Sequence, residues 1–208
     1  MSAKFNFFKT VFTELGIDIS NERVYDLCNA VCASFIEFPK EPMEPPSSCV
    51  VALAANSGAS FPSAVAAGLN CISDKHLLIK EISDFIEENH LDKAGNVRYA
   101  FHGRRIPGFG HPSIKGTDKR VKDLLSSFSD IQGPRTEFLI DLEKLLPVKI
   151  NIGGAMASLL LDGGIPKEYI LYFPLIGRIF GWLKLFNKTN ERFNKVVPSN
   201  LFIEQCSR

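Results

Sequence analysis

Apolar positions recur at three- and four-residue steps along nearly the whole chain. Val24, Leu27, Val31 and Phe35 form one row, and Leu78, Ile79, Ile82, Phe85 and Ile86 form a second. Val121, Leu124, Leu125 and Phe128 form a third, followed by Phe138, Leu139, Leu142, Leu145 and Leu146. This spacing gathers side chains on one face of a helix, and no segment alternates convincingly with period two. The pattern predicts an all-α protein of seven or more helices.

Turn chemistry sets the expected boundaries. KEPMEPPSS, 40–48, carries three prolines that break a helix, with Ser47 or Ser48 placed to cap the next. The alanine-, serine- and glycine-rich run 49–72 predicts two closely packed helices with a turn at Ser57-Gly58. Ser73 and Asp74 are expected to cap a helix over 74–89, and Thr117-Asp118 to cap another. Residues 90–116 are less regular. Gly133-Pro134 marks a further turn, and helical segments follow at 152–162 and 167–186. The chain, 1–208, is expected to be a single domain with an active-site region at 90–150 and a C-terminal arm at 187–208.

Composition narrows the classes. With 208 residues, 45% of them hydrophobic and 23% charged, the chain can bury a real core. A net charge of +1 offers no basic field for nucleic acid. The five cysteines (28, 32, 49, 71, 206) show no paired C-x-x-C spacing, so buried thiols are expected rather than a metal site. A reduced, cytoplasmic protein follows, and the start lacks the apolar run of a secretory signal. The stretch YILYFPLIGRIFGWLKLF, 169–186, is interrupted by Pro174, Arg178 and Lys184. Charges inside a spanning helix are costly, so a buried core helix is expected and no membrane.

One loop draws attention to chemistry. RIPGFGHPSIKGTDKR, 105–120, holds His111 beside Gly108, Phe109 and Gly110, with Lys115 and Arg120 close behind. Glycines let a ligand approach the main chain, and the helix beginning after Asp118 offers free N–H groups to an anion. A satisfied structural histidine in a turn is the simpler reading of these residues alone.

The same loop resembles the G-x-G-H-x-x-x-K-x-x-D-P-R signature of the citrate synthase family, including its citryl-CoA lyase branch. SGASFPSAVAAGLNCISDKH, 57–76, is similar to that family's S-T-G-A…S-A-V-A-A-G helix pair. NIGGAMASLLLDGGIP, 151–166, is similar to its N-V-D-G-A…L-L-L-D-L-G-x-P segment, and LIGRIFGWLKLF, 175–186, to its A-R-x-x-G…H-W segment. The four matches follow family order over roughly 45–186.

The resemblance implies a citrate-synthase-like multi-helical fold, shortened at the N-terminus. It also implies carbon–carbon bond chemistry between an acyl-CoA and a keto acid or polycarboxylate. His111 matches the histidine that polarises the keto acid's carbonyl. Arg120 and Arg178 match arginines that hold substrate carboxylates. Lys115 and the backbone of Gly108, Phe109 and Gly110 match the region that meets coenzyme A. His76 falls near the histidine of a His-Gly-Gly turn that binds the thioester oxygen, although Leu77 and Leu78 replace the glycines here. No metal is implied. The expected partners are a CoA thioester, a carboxylic acid, and a second copy of the chain or a longer homologue.

The pattern also departs from the family. The aspartate of N-V-D-G, which removes the thioester's α-proton, is Gly153 here. No histidine precedes His76, so the family's upstream histidine has no counterpart. Three readings of the function therefore stay open. One is a citryl-CoA lyase-type or synthase-type enzyme, with Glu37, Glu41 or Glu44 as candidate carboxylate. The second is a CoA- or polycarboxylate-binding subunit without catalysis, and the third is a repurposed acyl-CoA transferase or hydrolase.

Overall fold

The computed structural model describes residues 6–36, 45–72 and 78–206, without the side chains of Tyr99 and Cys206. It is all-α. In chain order the helices are α1 (Phe7–Glu14), α2 (Arg23–Ser34), α3 (Pro46–Asn56), α4 (Phe61–Asn70) and α5 (Ile79–Asn89). After these come α6 (Ala94–Ala100), α7 (Lys119–Ser127), α8 (Pro134–Glu143) and α9 (Ile152–Asp162). A single 3-10 turn (Lys167–Tyr169) leads to α10 (Tyr172–Arg192) and α11 (Ser199–Cys206). Two compact units emerge, Met1–Val31 with Leu78–Phe173, and Cys32–Leu77 with Pro174–Arg208.

The first unit is built around α9. Every residue from Ile152 to Leu161 is buried, which a sequence of leucines, alanines and glycines permits without stranding a charge. Helices α5, α7 and α8 pack against it. Its last residue, Asp162, has a buried side chain that reaches the start of α8. There its carboxylate accepts the N–H groups of Gly133 (2.9 Å), Arg135 (3.2 Å) and Thr136 (2.9 Å). These are donors that an isolated helix leaves unsatisfied. Arg135 also pairs with Glu87 of α5, so one charged chain joins three helices. That pairing, led by the hydrogen bond from Arg135, holds the Glu87 carboxyl below its usual range. At the N-terminus, Phe8 and Phe12 of α1 pack on Phe173, and Phe12 stacks on Tyr25.

The second unit centres on Trp182, which is wholly buried among Val51, Ala55, Ala64 and Phe186. Its indole N–H donates to Ser48 Oγ at 3.0 Å. Small residues allow this packing: a Cβ on Gly68 would lie 2.6 Å from Val51 Cγ2 and 3.1 Å from the Trp182 ring. Gly177 and Gly181 perform the same task on α10. A Cβ there would meet the carbonyl oxygens of Cys32 at 2.0 Å and Ile36 at 2.5 Å, so the helix lies directly on the end of α2.

Several boundaries differ from those the sequence suggests. Helix α3 starts at Pro46, so Ser47 and Ser48 lie buried inside its first turn rather than capping it. Helix α5 starts at Ile79, after Leu78 in a left-handed conformation (φ +49°); the expected caps at Ser73 and Asp74 lie outside the described residues. Residues 94–100 form a helix within the segment expected to be irregular. The tail expected as an arm continues α10 to Arg192 and then forms α11. Its Phe202 is fully buried with Ala52 and Leu185, and the backbone of Val197 pairs with the amide of Asn56.

Cys28 and Cys32 are both buried and unbridged, and burial pushes the Cys32 thiol up to about 12. Among the described residues no group of metal-ligating side chains gathers. The stretch 167–192 is long and apolar enough to cross a membrane by length and composition, and half of its apolar window is buried inside the protein.

Candidate active site

The glycine loop is fixed by what it touches. Gly108 (φ +83°) and Gly110 (φ +73°) adopt left-handed backbone that other residues rarely accept. Between them Phe109 forms an antiparallel bridge with Ile150. The Gly110 N–H donates to Lys149 O at 2.8 Å, and the Asn151 N–H donates to Gly108 O at 2.9 Å. Gly108 also lies against α9 itself. A Cβ on Gly154 would stand 2.5 Å from the Gly108 carbonyl oxygen, so both positions need glycine for the backbones to meet. The close approach that Gly108 permits is therefore taken up by α9.

Asn151 joins the loop to the helix a second time. Its Oδ1 accepts the Gly154 N–H at 3.0 Å, capping α9, while its Nδ2 donates to Gly110 O at 3.0 Å. A single side chain thus fixes both the helix start and the residue before His111.

His111 follows directly and is half-buried. Its Nδ1 accepts the backbone N–H groups of Ser113 at 3.2 Å and Ile114 at 3.1 Å. Asp118 caps α7, accepting the Arg120 N–H at 2.9 Å. The same carboxylate binds the Arg120 side chain, with Nε 3.1 Å from Oδ1 and Nη2 2.7 Å from Oδ2. Such two-point pairs orient a guanidinium firmly. Burial pushes the Asp118 carboxyl up, but the Arg120 hydrogen bond and charge, the capping N–H and nearby His111 outweigh it and hold it below the usual range. His111 and Arg120 therefore share one electrostatic neighbour, Asp118, which also caps α7. The D-x-R spacing was the available signal.

Of the remaining sequence candidates, Lys115 is exposed on the same loop. Arg178 belongs to the second unit, where it is buried and its guanidinium lies 5.5 Å from the centre of the Phe35 ring. His76 lies outside the described residues, as do Glu37, Glu41 and Glu44. Asn151 was missed as a loop tether, because an N-cap asparagine looks the same in sequence whether or not its amide has a second use.

Gly153 is the position where the family signature carries its base. It is buried, and a Cβ there would meet Ile82 Cδ1 at 2.8 Å, Asn151 Oδ1 at 3.2 Å and Ile79 Cδ1 at 3.5 Å. The space a side chain would enter is filled by two isoleucines and a fixed amide.

An all-helical scaffold that presents a histidine and a carboxylate-paired arginine beside a buried glycine-rich helix defines the class. A family profile for the citrate synthase C-terminal domain matches residues 41–196. The chain belongs to the citrate synthase family. In fold it is similar to citryl-CoA lyase from Hydrogenobacter thermophilus (TM-score 0.77, 23% identity, covering 90% of this chain and 77% of that one). It is also similar to ATP citrate lyase from Methanothrix soehngenii in complex with citrate and coenzyme A (0.69, 19%, 86% and 33%). An ATP citrate lyase mutant from Methanosaeta concilii in complex with (3S)-citryl-CoA gives the same values (0.69, 19%, 86% and 33%). The chain thus spans about one third of each ATP citrate lyase chain. No curated protein sequence matches it.

Two consequences are measurable. Because the folded Asp118 carboxyl titrates below its unfolded value, its stabilisation is complete above about pH 4 and fades as pH falls further. Asp118→Asn should cost about 1–3 kcal/mol at neutral pH. In urea unfolding at a series of pH values, that gap from wild type should close below about pH 4. Gly153→Asp should lower stability by about 2–4 kcal/mol, since it drives a carboxylate into isoleucine side chains. The same variant should not gain citrate synthase activity; a stable, active Gly153→Asp protein would mean that the pocket has room for the base.

Proposed function

We propose that this protein acts on a CoA thioester of a citrate-type acid, cleaving it as a citryl-CoA lyase-type enzyme. The observation that carries this reading is the arrangement of His111, held by two backbone N–H groups, beside the Asp118–Arg120 pair. It supports an oxygen-binding donor next to a carboxylate-binding cation. Arg120 would hold a substrate carboxylate, and Lys115 a phosphate of coenzyme A.

The chemistry has an oxygen end and a carbon end. Cleavage breaks the bond between the hydroxyl-bearing carbon and the thioester α-carbon. The hydroxyl gives its proton to solvent, its oxygen becomes the keto acid's carbonyl, and the bonding pair leaves as the thioester enolate. His111 would donate to that oxygen while it carries charge, where a placed donor is most effective. The enolate then takes a proton at carbon. A thioester enolate is basic enough to take it from water, whereas condensation needs a positioned base to remove a weakly acidic α-proton. With Gly153 at the carbon end, cleavage asks less of the missing group than condensation does.

The packing of Ile82 and Ile79 against Gly153 favours a second reading, a subunit that binds CoA and a polycarboxylate without turning them over, alone or beside a longer homologue. One experiment separates the two. Purified protein incubated with citryl-CoA should release acetyl-CoA and a keto acid, and His111→Ala should reduce the rate at least a hundredfold, as expected for loss of a charge-stabilising donor. Absence of turnover, with a thermal shift by CoA and citrate retained, would overturn the lyase reading and support the binding subunit.

A further inference from the structure

Helix α5 supplies the apolar contact beside the glycine loop. Ile82 is wedged where loop and α9 meet. Its Cγ2 lies 3.6 Å from where a Cβ on Gly108 would stand, and its Cδ1 lies 2.8 Å from one on Gly153. Ile79 Cδ1 reaches the same Gly153 position at 3.5 Å. Both isoleucines are buried. Their identity alone does not place them there, because a helix aims its side chains from where it begins.

Helix α5 begins on an exception. Leu78 (φ +49°) is the only non-glycine residue with left-handed backbone among the described residues. That backbone costs an L side chain a factor of about ten in population. The Leu78 carbonyl accepts the Ile82 N–H at 3.0 Å, the bond that opens the helix at the wedged residue. The buried Ser83 hydroxyl then donates to Ile79 O at 2.8 Å. Leu78 has no side chain able to cap a helix, so its backbone alone directs the first turn from that position. Strain of this kind persists only where the surroundings over-determine it, and it gathers at functional sites.

We propose that Leu78 is a positioning residue of this site, whose left-handed backbone seats Ile82 between Gly108 and Gly153, and Ile79 on Gly153, closing the start of α9 to a side-chain base. The proposal rests on the lyase reading for its meaning in turnover. On that reading the missing carboxylate is built into the fold: a neighbouring helix fills its room and is held there against backbone strain. The determinant of which half of the chemistry the site supports then lies on α5 as well as at position 153.

The test separates backbone from side chain at position 78 in the full-length protein. Leu78→Gly and Leu78→Ala both remove the leucine side chain, but glycine accepts left-handed backbone freely and alanine does not. Leu78→Gly should therefore melt about 2–4 °C above Leu78→Ala. Amide exchange at Ile82 should be about tenfold slower in the glycine variant. At an ordinary helix start the order is reversed, because glycine has more chain entropy to lose; that reversed order would overturn the proposal. A second comparison reads the seat of Ile82. In an Ile82→Ala background, Gly153→Asp should lower the thermal midpoint by roughly half as much as it does alone, since the nearest atoms are gone. Equal losses in the two backgrounds would mean that Ile82 does not fill this room, and would sink the proposal. Citryl-CoA turnover should be faster in Leu78→Gly than in Leu78→Ala with KM unchanged, and equal turnover would overturn the role in the site. If the wild type turns over no citryl-CoA, the functional reading fails, while melting, exchange and the Gly153→Asp comparison still decide the positioning.

Discussion

The contact between the main chains of Gly108 and Gly154 is the constraint on which the site depends. A methyl group on either residue would intrude on the other's backbone, so loop and helix meet as bare chain against bare chain. Because they meet, Phe109 can bridge to Ile150, and Asn151 can serve the helix start and the loop together. His111 then leaves the loop in a direction set by α9, whose ten buried residues form the most deeply packed part of the first unit. Rigid elements hold a functional group more closely than a free loop does.

Charge is arranged in layers around that contact. Asp162 closes the exposed donors at the start of α8, and Glu87 and Arg135 join that helix to α5. These bonds fix the frame. Asp118 fixes Arg120, and main-chain amides fix His111. Gly153 is different in kind: among the described residues, a Cβ there would meet the ends of Ile82 and Ile79 and the Asn151 amide oxygen. The family's scaffold is retained, with the 105–120 loop polar and ordered and the surroundings of Gly153 largely hydrocarbon.

Much of the fold was legible because amphipathic periodicity reports which face is buried. The span 152–162 was read with its boundaries as found, since an uninterrupted small and apolar run between Asn151 and Gly163 has few alternatives. The turn at Ser57-Gly58 was legible for the same local reason. Tertiary context governed the rest. Ser48 looks like a cap in sequence but lies inside α3 as the acceptor for Trp182. Leu78 is an unlikely residue for left-handed backbone, and no local rule ends the helical pattern there. Helix α6 spans seven residues, AGNVRYA, too few to carry much periodic signal. In the site, His111 and Arg120 stand out through the family resemblance and not through spacing alone. The second roles of Asp118 and Asn151 are less visible, because each performs an ordinary capping task as well.

The most direct measurement is a crystal structure of the protein grown with citrate and coenzyme A. The account predicts citrate on the 105–120 loop, with its hydroxyl oxygen within hydrogen-bond distance of His111 Nε2 and a carboxylate on the Arg120 guanidinium. Citrate bound elsewhere, or bound with Asp118 and Arg120 separated and the His111 ring turned away from the Ser113 and Ile114 amides, would contradict it.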